Sequence, residues 1–389
     1  MTKTRFGLIL LGVLACGFYV GCGSDTPAPT APPVSNVRDY QATASVGDFI
    51  TITVDADSQT IDYTNVTNGE TGTVSYTVGV DGAYEITTPG SHMIKAYEIP
   101  GLALVADMDN TGPTQNTTSL VTAILKAPIT QATLQNKNFN YMQWRTNSGG
   151  METGSVAIDG TGNVVHRGYW PYGDLMAAMN QGGGGGGSGS PFNGGTFDAS
   201  LFTPDPTGTY LTLTESGSGG TDTIFGTEGG CFVVDMANGS MVGVPQAAST
   251  AFDTAFAGTY RALAFNKPDA TTGNNNLETG TGRVDSYTLT LTAGGGLTVV
   301  DGNGATAVST TIVPVADAAY LQGAGQLGDP CPGLFTYRVL PAGGNTMRQD
   351  VFLSFLDGGA ILFCSFSYDT AQASGSMQYS YFYGVALKQ

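Results

Sequence analysis

Residues able to act as acids, bases or nucleophiles are sparse in this chain. It contains two histidines, His92 and His166, and a Ser-His-Asp triad needs one of them beside a nucleophile on a strained turn. No Gly-x-Ser-x-Gly nucleophile elbow occurs. Two carboxylates could hydrolyse a glycoside, but the glutamates lie mostly beside Gly or Thr and none stand out as a pair. We therefore expect a non-catalytic protein, with a hydrolase as an alternative.

The segment 107–112 (DMDNTG) resembles the start of an EF-hand calcium loop. The bidentate glutamate that completes such a loop is missing, because Thr118 occupies its position. A hairpin or loop is the favoured interpretation, with Ca²⁺ kept as an alternative ligand. No Cys-x-x-Cys or Cys/His metal spacing occurs, so we predict no other cofactor and no metal site.

Aromatic residues give the best candidates for ligand binding. The predicted loop 168–173 (GYWPYG) contains Tyr169, Trp170 and Tyr172, and Trp144 lies on a nearby predicted strand. Exposed rings of this kind can stack on sugars, whereas buried rings pack a core or close the end of a barrel. We predict that these four residues bind a glycan or a small apolar ligand, with core packing as the alternative.

Alternation of apolar and small polar residues characterises the elements that must position these side chains. Residues 50–54 (ITITV) and 287–292 (YTLTLT) show the pattern, and hairpin-type dipeptides such as Asp159-Gly160 separate such stretches. The alternation predicts antiparallel strands with one face solvated through Thr or Ser. We expect an all-β fold of tandem antiparallel meanders closed into calycin-like up-and-down barrels, with β-sandwiches as the alternative.

Length and internal similarity indicate several modules. The chain has 389 residues, more than one ordinary core accommodates. Segments 229–234 (GGCFVV) and 358–363 (GGAILF) are each followed by Gly-Ser-Met and then by Gly-Val. The predicted modules are a meander at 37–129, a second module at 130–247 with a glycine-rich loop at 181–195, and a related third module at 248–389.

Residues 256–260 (FAGTY) at the head of the third module resemble the opening strand of calycins, the lipocalin and fatty-acid-binding barrels. In those proteins a Gly-x-Trp sequence plugs one end of the barrel, and Tyr260 replaces the tryptophan here. The resemblance covers these five residues and the order of the strands. It implies a barrel and carries little information about function.

The first 22 residues resemble a bacterial lipoprotein signal peptide. Lys3 and Arg5 precede an uncharged apolar core at 6–20, which is too short for a committed membrane span. The lipobox-like sequence 19–22 (YVGC) ends at Cys22. The resemblance implies a signal peptide at 1–21 and acylation of Cys22, with palmitate among the chains, so that a lipid bilayer is a partner.

The residues after Cys22 agree with this interpretation. Residues 22–36 are rich in Pro, Ser and Gly, as expected for a tether. By the sorting rule of enterobacteria, Gly23 implies the outer membrane. A second lipobox-like match ends at Cys16, and an ordinary secretory signal in which Cys22 is incidental is a further alternative.

Charge and cysteine number restrict the partners further. The formal net charge is −17, so we expect no binding to nucleic acid. Once the signal is removed and Cys22 is acylated, Cys231, Cys331 and Cys364 remain, an odd number for an oxidising compartment. Cys331 and Cys364, the closest pair in sequence, form the predicted disulfide.

The sequence therefore predicts a membrane-anchored extracytoplasmic lipoprotein whose β-modules bind a glycan or a small apolar ligand. A structural or adhesive surface protein without a small-molecule ligand is the first alternative, and a hydrolase is the second. Hollow barrels would favour the binding function, whereas filled interiors would favour the structural one.

Overall fold

A computed structural model of the chain describes residues 36–87, 93–112, 115–145, 151–171, 196–197, 201–214, 221–227, 230–237, 239–267, 283–318, 331–340, 347–369 and 381–389. Residues 35–389 form one compact unit. No helix within the described segments has the length and apolar character needed to cross a membrane. Cys22 and the glycine-rich loop 181–195 lie outside these segments.

Three antiparallel sheets make up nearly all of the regular structure. In each one the strands follow chain order as a nine-strand meander, and the first strand pairs with both the second and the ninth. Each sheet ends at its fourth and fifth strands. The sheets form two nearly closed barrels and one half-barrel. The predicted all-β fold is confirmed, and the meanders are consistent with calycin-like barrels.

The strands are distributed equally among the sheets. Sheet 1 contains β1 (Val37–Ala44), β2 (Phe49–Asp55), β3 (Thr60–Asn65), β4 (Thr71–Ser75), β5 (Thr77–Val78), β6 (Tyr84–Thr87), β7 (Met93–Ile99), β8 (Ala103–Gly112) and β9 (Gln115–Leu125). Sheet 2 contains β10 (Lys137–Arg145), β11 (Met151–Ile158), β12 (Val164–Pro171), β13 (Thr196–Phe197), β14 (Phe202–Pro204), β15 (Leu211–Thr214), β16 (Thr221–Gly226), β17 (Phe232–Met236) and β18 (Gly239–Pro245). Sheet 3 contains β19 (Gly258–Lys267), β20 (Arg283–Leu291), β21 (Gly296–Asp301), β22 (Thr306–Thr311), β23 (Val313–Pro314), β24 (Leu334–Val339), β25 (Met347–Leu356), β26 (Ala360–Asp369) and β27 (Tyr381–Lys388).

Short helical turns precede the first strands of sheets 2 and 3. Helix α1 (Gln131–Leu134) lies before β10, and the hydroxyl of Thr130 caps it by accepting the backbone N–H of Thr133. A 3₁₀ turn, Thr254–Phe256, lies before β19 and is capped by Asp253. These caps satisfy backbone donors at the start of each turn and so fix where the following strand begins.

Aspartate side chains stabilise the hairpin turns that the sequence predicts. Asp159 Oδ1 accepts the backbone N–H groups of Thr161 (2.8 Å) and Asn163 (3.0 Å) between β11 and β12. The hydroxyl of Thr161 and these backbone donors lower the pKa of Asp159 to about 2. Asp301 makes the same kind of turn between β21 and β22. A local side-chain acceptor thus replaces ladder hydrogen bonds where the chain reverses.

Each sheet encloses a core, and a further core lies where the three sheets meet. Ile52, Phe139 and Leu353 belong to the interior clusters of sheets 1, 2 and 3 respectively. We call the shared cluster the central core. It combines buried apolar side chains of all three sheets, among them Val105, Leu120, Val233, Phe265 and Phe352.

Strands that border the central core are buried on both faces. In β1, Gln41 and Thr43 are each 1% exposed although they alternate with the interior residues of sheet 1. Every residue of β17 is buried. The prediction of one solvated face is wrong for these strands, because their outer face packs against another sheet. It holds for β2, whose alternate residues are partly exposed.

The hairpin between β1 and β2 approaches sheet 2 closely. Gly47 has a φ of +93°, and a Cβ there would lie 2.4 Å from the backbone oxygen of Met236. Only glycine combines this backbone conformation with such a close approach. Nearby, the hydroxyl of Thr43 donates a 2.6 Å hydrogen bond to Asp235 Oδ1 of β17. Sheets 1 and 2 therefore meet through both backbone contact and a buried polar bond.

Equivalent glycines make room for a phenylalanine in sheets 2 and 3. A Cβ on Gly243 would lie 2.2 Å from the ring of Phe232, and a Cβ on Gly384 would lie 2.5 Å from the ring of Phe363. In both pairs the glycine is on the ninth strand of its sheet and faces the phenylalanine of the eighth. Both double-glycine segments lead into the eighth strand and both Gly-Val features lie on the ninth, although Phe232 is the fourth residue of its segment and Phe363 is the sixth. Residues 375–377, the third feature, lie outside the described residues.

The predicted disulfide between Cys331 and Cys364 is absent from the structure. Both residues are buried in the central core, as is Cys231. Cys364 lies on β26 and Cys331 precedes β24, so β25 lies between them. The intervening strand keeps β24 and β26 about 10 Å apart, more than the separation of roughly 7 Å between Cα atoms that a disulfide spans. Burial raises the pKa of Cys231 to about 12 and also raises the pKa of Cys364.

Candidate functional site

Sheet 3 encloses a cavity of about 350 Å³, which we call the sheet 3 cavity. Seven strands contribute to its wall, β20–β22 and β24–β27, and none of the described lining residues is charged. Gln349 is the one amide among them, and its Nε2 donates to Ser365 Oγ at 3.1 Å. The lining residues are Tyr287, Leu289, Leu297, Val299, Ala307, Val308, Tyr337, Val339, Gln349, Val351, Leu353, Phe363 and Phe382.

Strand alternation explains this lining. Leu297 and Val299 in β21, and Val351 and Leu353 in β25, are separated by two positions and therefore point to the same face. Tyr260, the residue that the calycin resemblance matches to the tryptophan, lies in β19 and is fully buried, with its hydroxyl donating to the backbone oxygen of Phe256 at 2.6 Å. Burial raises the pKa of Tyr260 to about 12. This phenol therefore stays neutral and packs the interior of the barrel.

Sheet 1 encloses a second cavity, of about 230 Å³, which we call the sheet 1 cavity. Aliphatic side chains form most of its lining. Carboxylate and amide residues lie at two turns, which we call its mouth, and a further carboxylate, Asp107, lies on β8. Asp48 is in the β1–β2 turn, and Asn68 and Glu70 are in the β3–β4 turn. The lining residues are Asp48, Ile50, Ile52, Ile61, Tyr63, Asn65, Asn68, Glu70, Val74, Ile86, Ile94, Ala96, Leu104, Ala106, Asp107, Met108 and Val121.

A buried ion pair lies at the opposite end of sheet 1. Arg38 donates from Nε to Glu98 Oε1 at 2.7 Å and from Nη2 to Glu98 Oε2 at 2.8 Å. The two side chains are 6% and 1% exposed. Because Arg38 lies near the start of β1 and the mouth follows the end of β1, the pair is about 20 Å from the mouth. Hydrogen bonding to Glu98 raises the pKa of Arg38.

Two tyrosines complete the surroundings of Glu98. The hydroxyl of Tyr40 donates to Oε1 and that of Tyr84 donates to Oε2. Burial, assisted by hydrogen bonding to Glu98, raises the pKa of both phenols. The ring of Tyr84 also stacks on Tyr76, with 4.2 Å between centroids. The carboxylate thus accepts four hydrogen bonds, and the network ties together β1, β6 and β7 of sheet 1.

A third cavity, of about 680 Å³, lies between the sheets. It is lined by the ends of strands and by the segments that connect the sheets, with Lys126, Asp253 and Asp357 beside apolar residues such as Phe256 and Leu356. This mixed composition is typical of an open cleft between packed units.

The comparisons with known proteins do not assign a family. No protein-family model and no curated protein matches the chain. One similar solved structure is a protein of unknown function from the DUF3598 family of Nostoc punctiforme, with 7% identity, coverage of 91% of this chain and 94% of that chain, and a TM-score of 0.16. Another is a luciferin-regenerating enzyme, with 9% identity, the same coverage values of 91% and 94%, and a TM-score of 0.13. TM-scores this low carry no argument about function.

Trp144, a predicted ligand-binding residue, lies in the central core. It is 3% exposed, and its ring stacks on Tyr383 with centroids 4.2 Å apart and an interplanar angle of 21°. Phe265 contacts it from β19. Trp144 therefore joins sheets 2 and 3 and does not line either barrel cavity.

The other predicted aromatic residues lie at the end of β12. Tyr169 pairs with Gly154 and Trp170 pairs with Thr153 of β11, so both belong to a strand and not to the predicted loop. Tyr172 lies outside the described residues. A role of these residues in ligand binding stays a prediction.

The EF-hand-like segment forms a hairpin arm. Residues 107–112 belong to β8, and Asp109 pairs with Thr118 of β9. An extended strand cannot wrap its side chains around one ion as a calcium loop does. Across the part of the chain that the structure describes, no group of three or more His, Cys, Asp or Glu side chains is placed to hold a metal ion.

Several residues of these sites are missing from the sequence-based candidates. Arg38 and Glu98 are 60 positions apart, and nothing local indicates that they pair. Glu98 does carry one signal, because it interrupts an otherwise apolar interior face at Ile94 and Ala96 of β7. A lone acid on a buried face requires a partner. This requirement identifies Glu98 as a candidate for a buried ion pair from the sequence pattern of β7.

Proposed function

We propose that the protein binds a small, neutral, apolar ligand in the sheet 3 cavity. The observation that carries the proposal is the wall of this cavity, which is lined mainly by aliphatic and aromatic side chains and has no charge among its described residues. Binding pockets for small molecules combine such walls with a few polar groups that orient the ligand. Gln349, with its hydrogen bond to Ser365, supplies such a group.

The size of the cavity limits the ligand. A volume of about 350 Å³ corresponds to about eleven or twelve water molecules, and hence to a ligand with a similar number of non-hydrogen atoms. A neutral head group is favoured because no described lining residue would compensate a charge. Binding is non-catalytic in this proposal, and a purely structural or adhesive protein is the alternative.

Filling the sheet 3 cavity is expected to weaken ligand binding. The double variant Val299→Phe/Val351→Phe adds two rings from β21 and β25, and we expect it to weaken the binding of 1-decanol at least about ten-fold, since the ligand loses its apolar contacts. Titration calorimetry on residues 35–389 measures the affinity. Burial in a pocket should also give a negative heat-capacity change in the unaltered protein.

The matched control makes two Val→Phe substitutions at exposed positions. Val37 and Val66 are 50% and 48% exposed, so Val37→Phe/Val66→Phe should leave decanol affinity unchanged. The single variant Val351→Phe serves if the double variant does not fold. Equal affinity in the cavity-filled and surface variants would reject the proposal, and absence of binding to the unaltered protein would favour the structural alternative.

We further propose that this binding unit is a lipoprotein held on the outer membrane of a bacterium through acylated Cys22. The basic start, apolar core and small residue before Cys22 support this, together with the Pro-rich tether after it. In this proposal the lipid acts as an anchor for the compact unit at 35–389.

The Cys22→Ser variant is expected to lose incorporation of labelled palmitate and to leave the outer-membrane fraction, because the acylated side chain is removed. Cell fractionation with metabolic labelling measures both effects. Cys16→Ser is the control and should label as the unaltered chain does. If Cys22→Ser still incorporates labelled palmitate and Cys16→Ser does not, the acylated residue is Cys16 and the proposal for Cys22 is wrong.

A further inference from the structure

The mouth of the sheet 1 cavity differs in charge from the sheet 3 cavity. Asp48 and Glu70 are both lining residues, and the described wall contains neither Lys nor Arg. Asp48 Oδ2 accepts the side-chain amide of Asn65 at 3.0 Å, and Glu70 Oε1 accepts the hydroxyl of Tyr63 at 3.3 Å. Neutral donors orient these carboxylates and leave their negative charge uncompensated.

The local backbone holds these groups at the mouth. Asn65 Oδ1 accepts the backbone N–H groups of Thr67 and Asn68, and Asn68 Oδ1 accepts that of Glu70. This sequence of side-chain turns fixes the β3–β4 hairpin. Asp48 and the β3–β4 turn that carries Glu70 are therefore held next to each other, through the hydrogen bond between Asp48 and Asn65.

We propose that the sheet 1 cavity is a second binding site, which takes a small amphiphile with a protonated amine head and an aliphatic tail. The tail would occupy the aliphatic wall formed by residues such as Ile52, Ile61 and Leu104. The ammonium group would remain at the mouth beside Asp48 and Glu70, where it is partly solvated. The proposal is independent of the ligand of the sheet 3 cavity.

Charge and size define the ligand class. An amine is favoured over a carboxylate of the same length, because the three lining carboxylates, Asp48, Glu70 and Asp107, attract a cation and repel an anion. The net charge of −17 also favours a cationic ligand over an anionic one. A volume of about 230 Å³ equals about seven or eight water molecules, which suits a chain of about eight atoms.

Three compounds with one tail test the proposal. Octylamine, 1-octanol and octanoate are titrated at pH 7 into residues 35–389 carrying Val299→Phe/Val351→Phe, so that the sheet 3 cavity is filled. We expect octylamine to bind most tightly and octanoate least tightly. Glu70→Gln should weaken octylamine about three- to five-fold, as expected for one partly solvated ion pair, and should leave octanol unchanged.

Glu85→Gln is the matched control. Glu85 lies on β6 of the same sheet and does not line the cavity, so its loss removes the same formal charge away from the mouth and should not alter octylamine affinity. Equal affinities for octylamine and octanol would overturn the proposal. Equal effects of Glu70→Gln and Glu85→Gln would also overturn it, because they would indicate a general effect of net charge.

The outcomes separate this proposal from the proposed function. If the double phenylalanine variant still binds decanol as the unaltered protein does, the function proposed for sheet 3 fails, while the response of octylamine to Glu70→Gln still decides the site in sheet 1. Should the double variant not fold, Val351→Phe replaces it. If decanol binding is lost and none of the octyl compounds binds, the proposal for sheet 1 fails alone.

Discussion

Replacement of Glu98 by Ala is expected to lower the free energy of unfolding by about 3–5 kcal/mol, because it leaves a buried charge uncompensated. The Arg38 guanidinium would lose its bidentate partner while its side chain stays 6% exposed. The hydroxyls of Tyr40 and Tyr84 would lose the acceptor that both share. Urea unfolding of residues 35–389 measures the loss.

An exposed ion pair provides the control. Arg283 Nε donates to Asp285 at 2.8 Å, but the Arg283 side chain is 65% exposed, so Arg283→Gln should cost less than about 1 kcal/mol. The double variant Arg38→Met/Glu98→Gln should recover part of the loss of Glu98→Ala, since no charge remains buried. Equal losses for Glu98→Ala and Arg283→Gln would show that the buried network does not stabilise sheet 1.

Asp235 is a buried acid at the contact between sheets 1 and 2. It is 7% exposed, and Asp48 of sheet 1 and Asp222 of β16 act on it as like charges. Burial is the main cause that raises the pKa of Asp235 to about 7, the hydrogen bond from Thr43 opposes the rise, and the two neighbouring acids add to it. The ionised form is therefore disfavoured in the folded protein.

The variant Asp235→Asn is expected to raise the free energy of unfolding by about 2–4 kcal/mol at pH 8 and by almost nothing at pH 4. The unfolded carboxyl titrates near about 3.9 and the folded one near about 7. Between these values the folded state holds a proton that the unfolded state has lost, so stability falls as pH rises from about 4 to about 7. In Asp235→Asn the side-chain amide oxygen can still accept the hydrogen bond from Thr43. Because the amide does not ionise, this contribution to the pH dependence of stability disappears.

Urea unfolding at pH 4, 6 and 8 measures the difference. Asp159→Asn is the contrasting control, since hydrogen bonds lower the pKa of Asp159 to about 2. Its carboxylate contributes stability above the unfolded pKa, and that contribution disappears as the pH falls toward 2. The control should therefore gain no stability at pH 8. A pH-independent gain in Asp235→Asn would refute the role assigned to the ionised carboxylate.

Both predictions concern residues that the sequence did not single out. Alternation predicted the strands, because the side chains of a strand point to opposite faces whatever the strand packs against. It could not predict the ion pair between Arg38 and Glu98 or the hydrogen bond between Thr43 and Asp235. The members of each pair are on different strands and come together only through strand pairing and sheet packing. Trp144 illustrates the same limit, because a buried and an exposed tryptophan on a strand have the same local pattern.

The sequence by itself determined that the chain is all-β, that its strands are antiparallel and where its Asx turns reverse the chain, as at Asp159. These properties depend on the period of the side chains and on hydrogen bonds between near neighbours. The tertiary structure alone decided that sheets 1 and 3 retain cavities, that a central core unites three sheets, and that Cys331 and Cys364 stay apart. Those outcomes depend on how the three sheets pack against one another and on the volumes left between distant side chains, and neither is encoded in a local pattern.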